Sequence, residues 1–145
     1  MFSHLLVPID GGALAEHAVE AAIELARKLD AQITAFIAEP PVPAAGYGAA
    51  GFVQRMEAHD RETHDHAQRV LDDFRARAEG AGVAFDGVYA RSSRIVDAIL
   101  EAAQERGCDL IVMATHVHGF LGELLAASHT KAVMARSKVP LLVLH

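Results

Sequence analysis

The sequence predicts an α/β fold in which a parallel sheet is covered by helices on both faces. Three observations predict it. Short apolar runs alternate with helix-length amphipathic segments in the order βαβ–loop–αβαβαβ, which builds parallel βαβ units with right-handed crossovers. The run "DLIVMAT" is apolar along most of its length, as suits a strand covered on both faces. The chain has 145 residues, 52% of them hydrophobic, and a mean hydropathy of +0.20, enough for one core in a single domain over residues 1–145.

The elements follow in order. "LLVPI" (residues 5–9) is a short buried strand, broken by "GG". Residues 13–29 form a helix with Leu14, Ala18, Ala22, Leu25 and Leu29 on one face. "QITAFIA" (32–38) is the second strand. "EPPVPAAGYGAAGF" (39–52) holds three of the five prolines and reads as a flexible loop. Residues 53–79 form a long helix with Met56, Ala67, Val70, Leu71, Phe74 and Ala78 inward, closed by "GAG". Residues 83–90 are the third strand. A helix over 94–106 is expected to be capped by Ser92 or Ser93. Residues 109–115 are the fourth strand, 123–136 a helix, and 139–144 the fifth strand.

Pro140 places the fifth strand. Proline cannot donate to a ladder, so it belongs at a strand start or on an edge. An apolar edge "PLLVL" invites pairing unless something covers it. Self-pairing across a two-fold axis covers it, so a homodimer through Val139, Pro140, Leu141, Leu142, Val143 and Leu144 is expected.

Composition narrows the function. The net charge is −6 with no Lys/Arg cluster, which speaks against nucleic acid as a partner. Cys108 is the only cysteine, so an internal disulfide and a multi-cysteine metal site are excluded, and a small buried apolar role is expected. "MFSHLLVPID" is too short an apolar run for a signal peptide. No segment reaches the ~20 apolar residues that span a bilayer. A cytoplasmic protein without membrane contact is the expectation.

In an open parallel sheet a ligand binds beyond the strand C-termini, where the strand order reverses. Here those ends are Pro8, Ile9 and Asp10 of the first strand and Met113, Ala114 and Thr115 of the fourth. The following stretch, "ATHVHGFLGELLAAS", runs into a helix N-terminus, which suits an anion.

Two stretches carry a resemblance. "HLLVPIDGGALAEHAVEAAIELARKL" resembles the opening of universal stress protein (UspA-type) domains, where a first strand ends in aspartate and a Gly/Ser turn starts a helix. "CDLIVMATHVHGFLGELLAASHTKAVMARSKVPLLVLH" resembles that family's C-terminal third. The similarity runs over essentially the whole chain. It implies a three-layer, doubly wound sandwich of the adenine nucleotide alpha hydrolase-like kind. The sheet has five parallel strands in the order 3-2-1-4-5, and the protein is usually a dimer.

ATP-binding members of that family carry G-2x-G-9x-G-[S/T] after the fourth strand. Aligned on the strand end and on Pro140, this chain has Ala114-2x-Val117-9x-Ala127-Ser128: the spacing is kept, the glycines are replaced, and only Ser128 keeps its type. Gly119 and Gly122 are in another frame, and a lone G-x-x-G is a weak signal. Glycine permits φ > 0 and close backbone approach, whereas β-branched Val is an outlier there, at a cost of about 1–3 kcal/mol if the loop needs that dihedral. The chain thus resembles the family branch without the glycine signature, for which no cofactor is expected. The alternative is an ATP- or AMP-binding module, or a site for another small anion, at the same crevice. It would use Pro8, Ile9, Asp10, Ala38, Met113, Ala114, Thr115, Val117, Ala127 and Ser128. Asp10 contacts the nucleoside in the binders, and aspartate at such a turn also has a structural use. Tyr47 and Phe52 of the long loop would close over a ligand there.

The nine histidines do not assemble a metal site. His64 and His66 point about 200° apart on a helix, and His59 and His66 are roughly 10 Å apart along it. His116 and His118 are the best-placed pair, since i and i+2 on extended backbone share a side, but no third or fourth ligand is evident. Catalysis is not expected either. Ser128 and His129 diverge by about 100° on a helix, Asp10 is the only obvious carboxylate at the crevice, and no P-loop is present. A weak ATPase would require that nucleotide binds first.

Overall fold

The computed structural model describes residues 1–9, 16–41, 49–114 and 122–144; the side chains of 16–17, 49–50 and 122–128 lie outside that description. The elements are β1 (His4–Ile9), α1 (Glu16–Leu29), β2 (Gln32–Glu39), α2 (Ala49–Gly80), β3 (Phe85–Arg91), α3 (Ile95–Glu105), β4 (Leu110–Ala114), α4 (Gly122–Arg136) and β5 (Leu141–Leu144). The five strands form one sheet in the order β3-β2-β1-β4-β5, and each neighbouring pair is parallel.

Alternation along each strand divides the interior into two layers. Leu5, Val7, Ile9, Ile33, Ala35, Ile37, Leu110 and Val112 face α1 and α2, where Val19, Ala22, Ile23, Ala26, Ala67, Leu71, Phe74 and Ala78 meet them. Leu6, Phe36, Ile111 and Met113 face α3 and α4, against Ile99, Ala102, Ala103 and Val133. The central strands are apolar on both faces because both faces are covered.

The first three helices end in the same way. Ala31, Val83 and Cys108 each donate their N–H back to the carbonyl five residues earlier, on Ala26, Ala78 and Ala103. The residue before each donor is left-handed: Asp30, Gly82 and Gly107. This is the Schellman closure, which satisfies the last carbonyls and turns the chain sharply into the next strand.

Several boundaries differ from expectation. α2 begins at Ala49, so Gly51 and Phe52 are helical rather than part of the loop; alanines favour helix, and one glycine costs only about 1 kcal/mol. The buried face of α1 centres on Ala22 and Ala26 with Val19 and Ile23, and Leu29 is exposed in the last turn. α3 has Arg94 at its N-cap with no side-chain cap; the Ser92 hydroxyl accepts the Arg94 N–H at 3.0 Å, two residues too early to cap the helix. β5 starts at Leu141 because Pro140 offers only its carbonyl, which accepts the Ile111 N–H at 2.9 Å.

The N-terminal ends of the strands carry a polar clamp. The Asp109 carboxylate accepts the Ser3 N–H (2.8 Å), the Ser3 hydroxyl (2.9 Å) and the His4 N–H (2.9 Å), joining the start of β1 to the start of β4. Burial alone would raise its pKa, and these hydrogen bonds outweigh burial and hold it below the ordinary range. Cys108 is buried beside this clamp, as expected of it.

Candidate functional site

β1 meets β2 on one side and β4 on the other, so the order reverses between β1 and β4. The two sides differ. β1 and β2 pair over six rungs, from His4↔Gln32 to Ile9↔Ile37. β1 and β4 pair only at Leu5↔Leu110 and Leu6↔Ile111, although the strands run on to Ile9 and Ala114. Among the described residues the rungs stop short of Pro8, which has no N–H to give the ladder, and the C-terminal ends of these two strands flank the switch point, where a sheet of this order holds a ligand.

The structure brings Pro8, Ile9, Ala38, Met113 and Ala114 together at that end of the sheet. Ile9 and Met113 are buried, and Pro8, Ala38 and Ala114 are half-buried. Ala114 closes β4 on the rung Ala114↔Leu144. All five are apolar, so these five residues offer no acid, base or nucleophile. Asp10, Thr115, His116, Val117, His118 and Tyr47 lie outside the described residues. Ala127 and Ser128 fall within the first half of α4, and their side chains lie outside the description. His59, His64 and His66 are exposed on α2. Among the described residues no group of three or more His, Cys, Asp or Glu is placed to hold a metal ion.

Sequence reading missed a second polar group at the same end of the sheet. Glu39 and Arg91 share the last rung of β2 and β3. Both lie on the α2 side, in alternation with Ile37 and Tyr89. Arg91 Nη1 is 2.9 Å from Asp60 Oδ1 of α2, and Arg91 Nη2–H donates to the Tyr89 hydroxyl at 2.9 Å. The His64 ring stands edge-on to Tyr89, with centroids 5.0 Å apart. Burial raises the Tyr89 pKa, the Glu39 and Asp60 charges add to it, and Arg91 opposes them. The available signal was Glu39 and Arg91 as charged residues at strand ends; the register that joins them is not written locally.

Comparison with known proteins agrees with this architecture. The model of the universal stress protein family matches residues 1–145. A universal stress protein of Thermus aquaticus, encoded 3′ of a QAH/OAS sulfhydrylase, is 32% identical over 143 residues, covering 99% of this chain and 98% of its own. A crystal structure from the family in Burkholderia pseudomallei superposes with a TM-score of 0.72 at 28% identity, covering 99% of this chain and 96% of its own. A universal stress protein solved in complex with cAMP superposes with a TM-score of 0.70 at 24% identity, covering 99% and 97% of the two chains. Matched by the family model from its first residue to its last, this chain belongs to the universal stress protein family.

Proposed function

We propose that this protein is a non-catalytic, cytoplasmic regulatory dimer of a single domain, whose nucleotide crevice has lost the chemistry for holding ATP in the usual way. The observation that carries this reading is Ala114. It ends β4 at the switch point between β1 and β4, at the position where the family's ATP loop begins with glycine. A methyl group there, with Val117 and Ala127 replacing the other glycines, narrows the backbone approach that phosphates need. Pro8, Ile9, Ala38 and Met113 at this end of the sheet add no charge to compensate. The dimer reading is supported by β5 lying at the sheet edge with Leu142 exposed.

The second reading is a nucleotide- or small-anion-binding module at the same crevice. It is favoured by the relative of this fold solved with cAMP, which is that protein's ligand. One experiment separates the two. Purified protein is denatured and searched for released nucleotide by mass spectrometry, then titrated with ATP, AMP and cAMP by calorimetry. The first reading expects no released nucleotide and no micromolar affinity, with affinity for ATP gained on Ala114→Gly/Val117→Gly/Ala127→Gly. Micromolar ATP binding that is lost in Asp10→Ala establishes the second reading and makes an ATPase assay worthwhile.

A further inference from the structure

Among the described residues, the buried side-chain polar atoms without a hydrogen-bond partner are Glu39 Oε2, Asp60 Oδ1 and Arg91 Nη1. All three belong to one cluster. Arg91 Nη1 and Asp60 Oδ1 are in ion-pair contact at 2.9 Å, but the N–H is not aimed along that contact, so neither atom is hydrogen-bonded. Glu39 Oε2 has no such contact. One guanidinium is therefore held imperfectly by the Asp60 carboxylate, and a second carboxylate, that of Glu39, stands unpartnered on the neighbouring rung position of β2. Buried polar atoms left in this state are uncommon and call for an explanation.

The position of the cluster supplies one. α2 runs antiparallel to β3 across the sheet. Phe74 meets Phe85 at the start of β3, His64 meets Tyr89, and Asp60 meets Arg91 at its end. From Phe74 back to Asp60 the helix rises ~21 Å, and from Phe85 to Arg91 the strand advances ~20 Å, so the two elements finish together. Residues 49–59 then project about 16 Å past the end of β3, at the C-terminal end of the sheet, where the strand order reverses between β1 and β4. Burial changes along the helix at the same place. Ala67, Leu71, Phe74 and Ala78 are buried, while no residue from Gly51 to His66 is.

We infer that Asp60–Arg91 is a latch, that Glu39 is its alternative seat, and that exchange of Arg91 between the two carboxylates frees the N-terminal half of α2. Glu39 neighbours Arg91 on the adjoining strand, about 4.8 Å away in the ladder, so a rotation of the arginine side chain suffices. In the latched state Arg91 bridges β3 to α2 through Asp60. In the released state it bridges β3 to β2 through Glu39, which spares the cost of burying an unpaired guanidinium. The two states keep the core from Ala67 onward and differ in the overhanging helix, which makes that half of α2 a gate at the crevice end of the sheet. The inference stands whether or not a nucleotide binds.

Hydrogen exchange by mass spectrometry, paired with urea unfolding, tests it on the full chain. In Asp60→Asn, amides of residues 52–66 should exchange at least tenfold faster, those of 67–80 at the wild-type rate, and the urea midpoint should stay near wild type because Glu39 receives Arg91. Glu39→Gln removes the second seat, and exchange over 52–66 should slow. Glu39→Gln/Asp60→Asn leaves Arg91 without a carboxylate, and the urea midpoint should fall well below that of either single variant. Wild-type exchange over 52–66 in Asp60→Asn would overturn the latch. A midpoint in Asp60→Asn already as low as in the double variant would overturn the alternative seat.

Discussion

His4 Nε2 and the Thr34 hydroxyl lie 2.7 Å apart, joining β1 to β2 at the end of the sheet opposite the crevice. Thr34 is 1% exposed, so its hydroxyl has no water and needs this partner. In its Nδ1–H tautomer the neutral imidazole accepts the hydroxyl proton at Nε2. Burial lowers the His4 pKa below 6.5; the charges of Asp109 and Asp86 and a hydrogen bond to the Arg106 backbone pull the other way without prevailing, and the Arg106 charge adds a smaller lowering.

The sign of the pH effect follows. The folded pKa lies below the unfolded one, so folding favours neutral His4. The stability it contributes is complete above pH ~6.5 and is lost as pH falls through the folded pKa. The urea midpoint of the wild type should therefore drop between about pH 7.5 and pH 5.5, and His4→Gln, which cannot titrate, should drop less. Equal drops in the two proteins would place the acid sensitivity on other groups.

Phe74 fixes α2 to the sheet. It is 1% exposed, with its ring centroid 5.0 Å from that of Phe85. Phe74→Ala should cost about 3–5 kcal/mol in urea unfolding, whereas Val53→Ala on the exposed half of the same helix should change stability by about 0.5 kcal/mol or less. Comparable losses in both would mean that the two halves of α2 share one packing environment.

Burial pushes the Cys108 thiol up to about 11, and the side chain is 6% exposed. The thiolate is the reactive form, so the native protein should resist a thiol reagent at neutral pH. Labelling should accelerate in parallel with urea unfolding. Fast labelling of the folded protein would show that the β4 end of the sheet opens locally.

β5 is an edge strand, and Leu142 is 36% exposed on it. The wild type should sediment as a dimer at micromolar concentration, and Leu142→Lys should shift it to monomer while leaving its circular dichroism unchanged. A wild-type monomer under these conditions removes the edge-pairing reading.

Much of the fold was legible because its signals are local. The apolar runs from Leu5, Ile33 and Leu110, the Ala67–Ala78 face of α2 and the closing Gly82 each depend on near neighbours in the chain. The errors were at boundaries, where local preferences compete. Alanines drew the start of α2 back to Ala49, and Pro140 delayed the start of β5 by giving the ladder a carbonyl but no donor. On α1 the apolar stripe was read about a fifth of a turn from the buried one, because small alanines and leucines both fit the period.

By itself the sequence determined the alternation of five strands with four helices and the edge position of the last strand. These are consequences of residue type and spacing. Only the tertiary structure decided that Glu39 and Arg91 share the last rung of β2 and β3, and that Asp60 of α2 pairs with Arg91 there. Register and helix placement belong to the paired chain segments together. A one-residue slip of β3 against β2 would turn Arg91 to the other face, and nothing in the residues around Arg91 announces which register the sheet adopts.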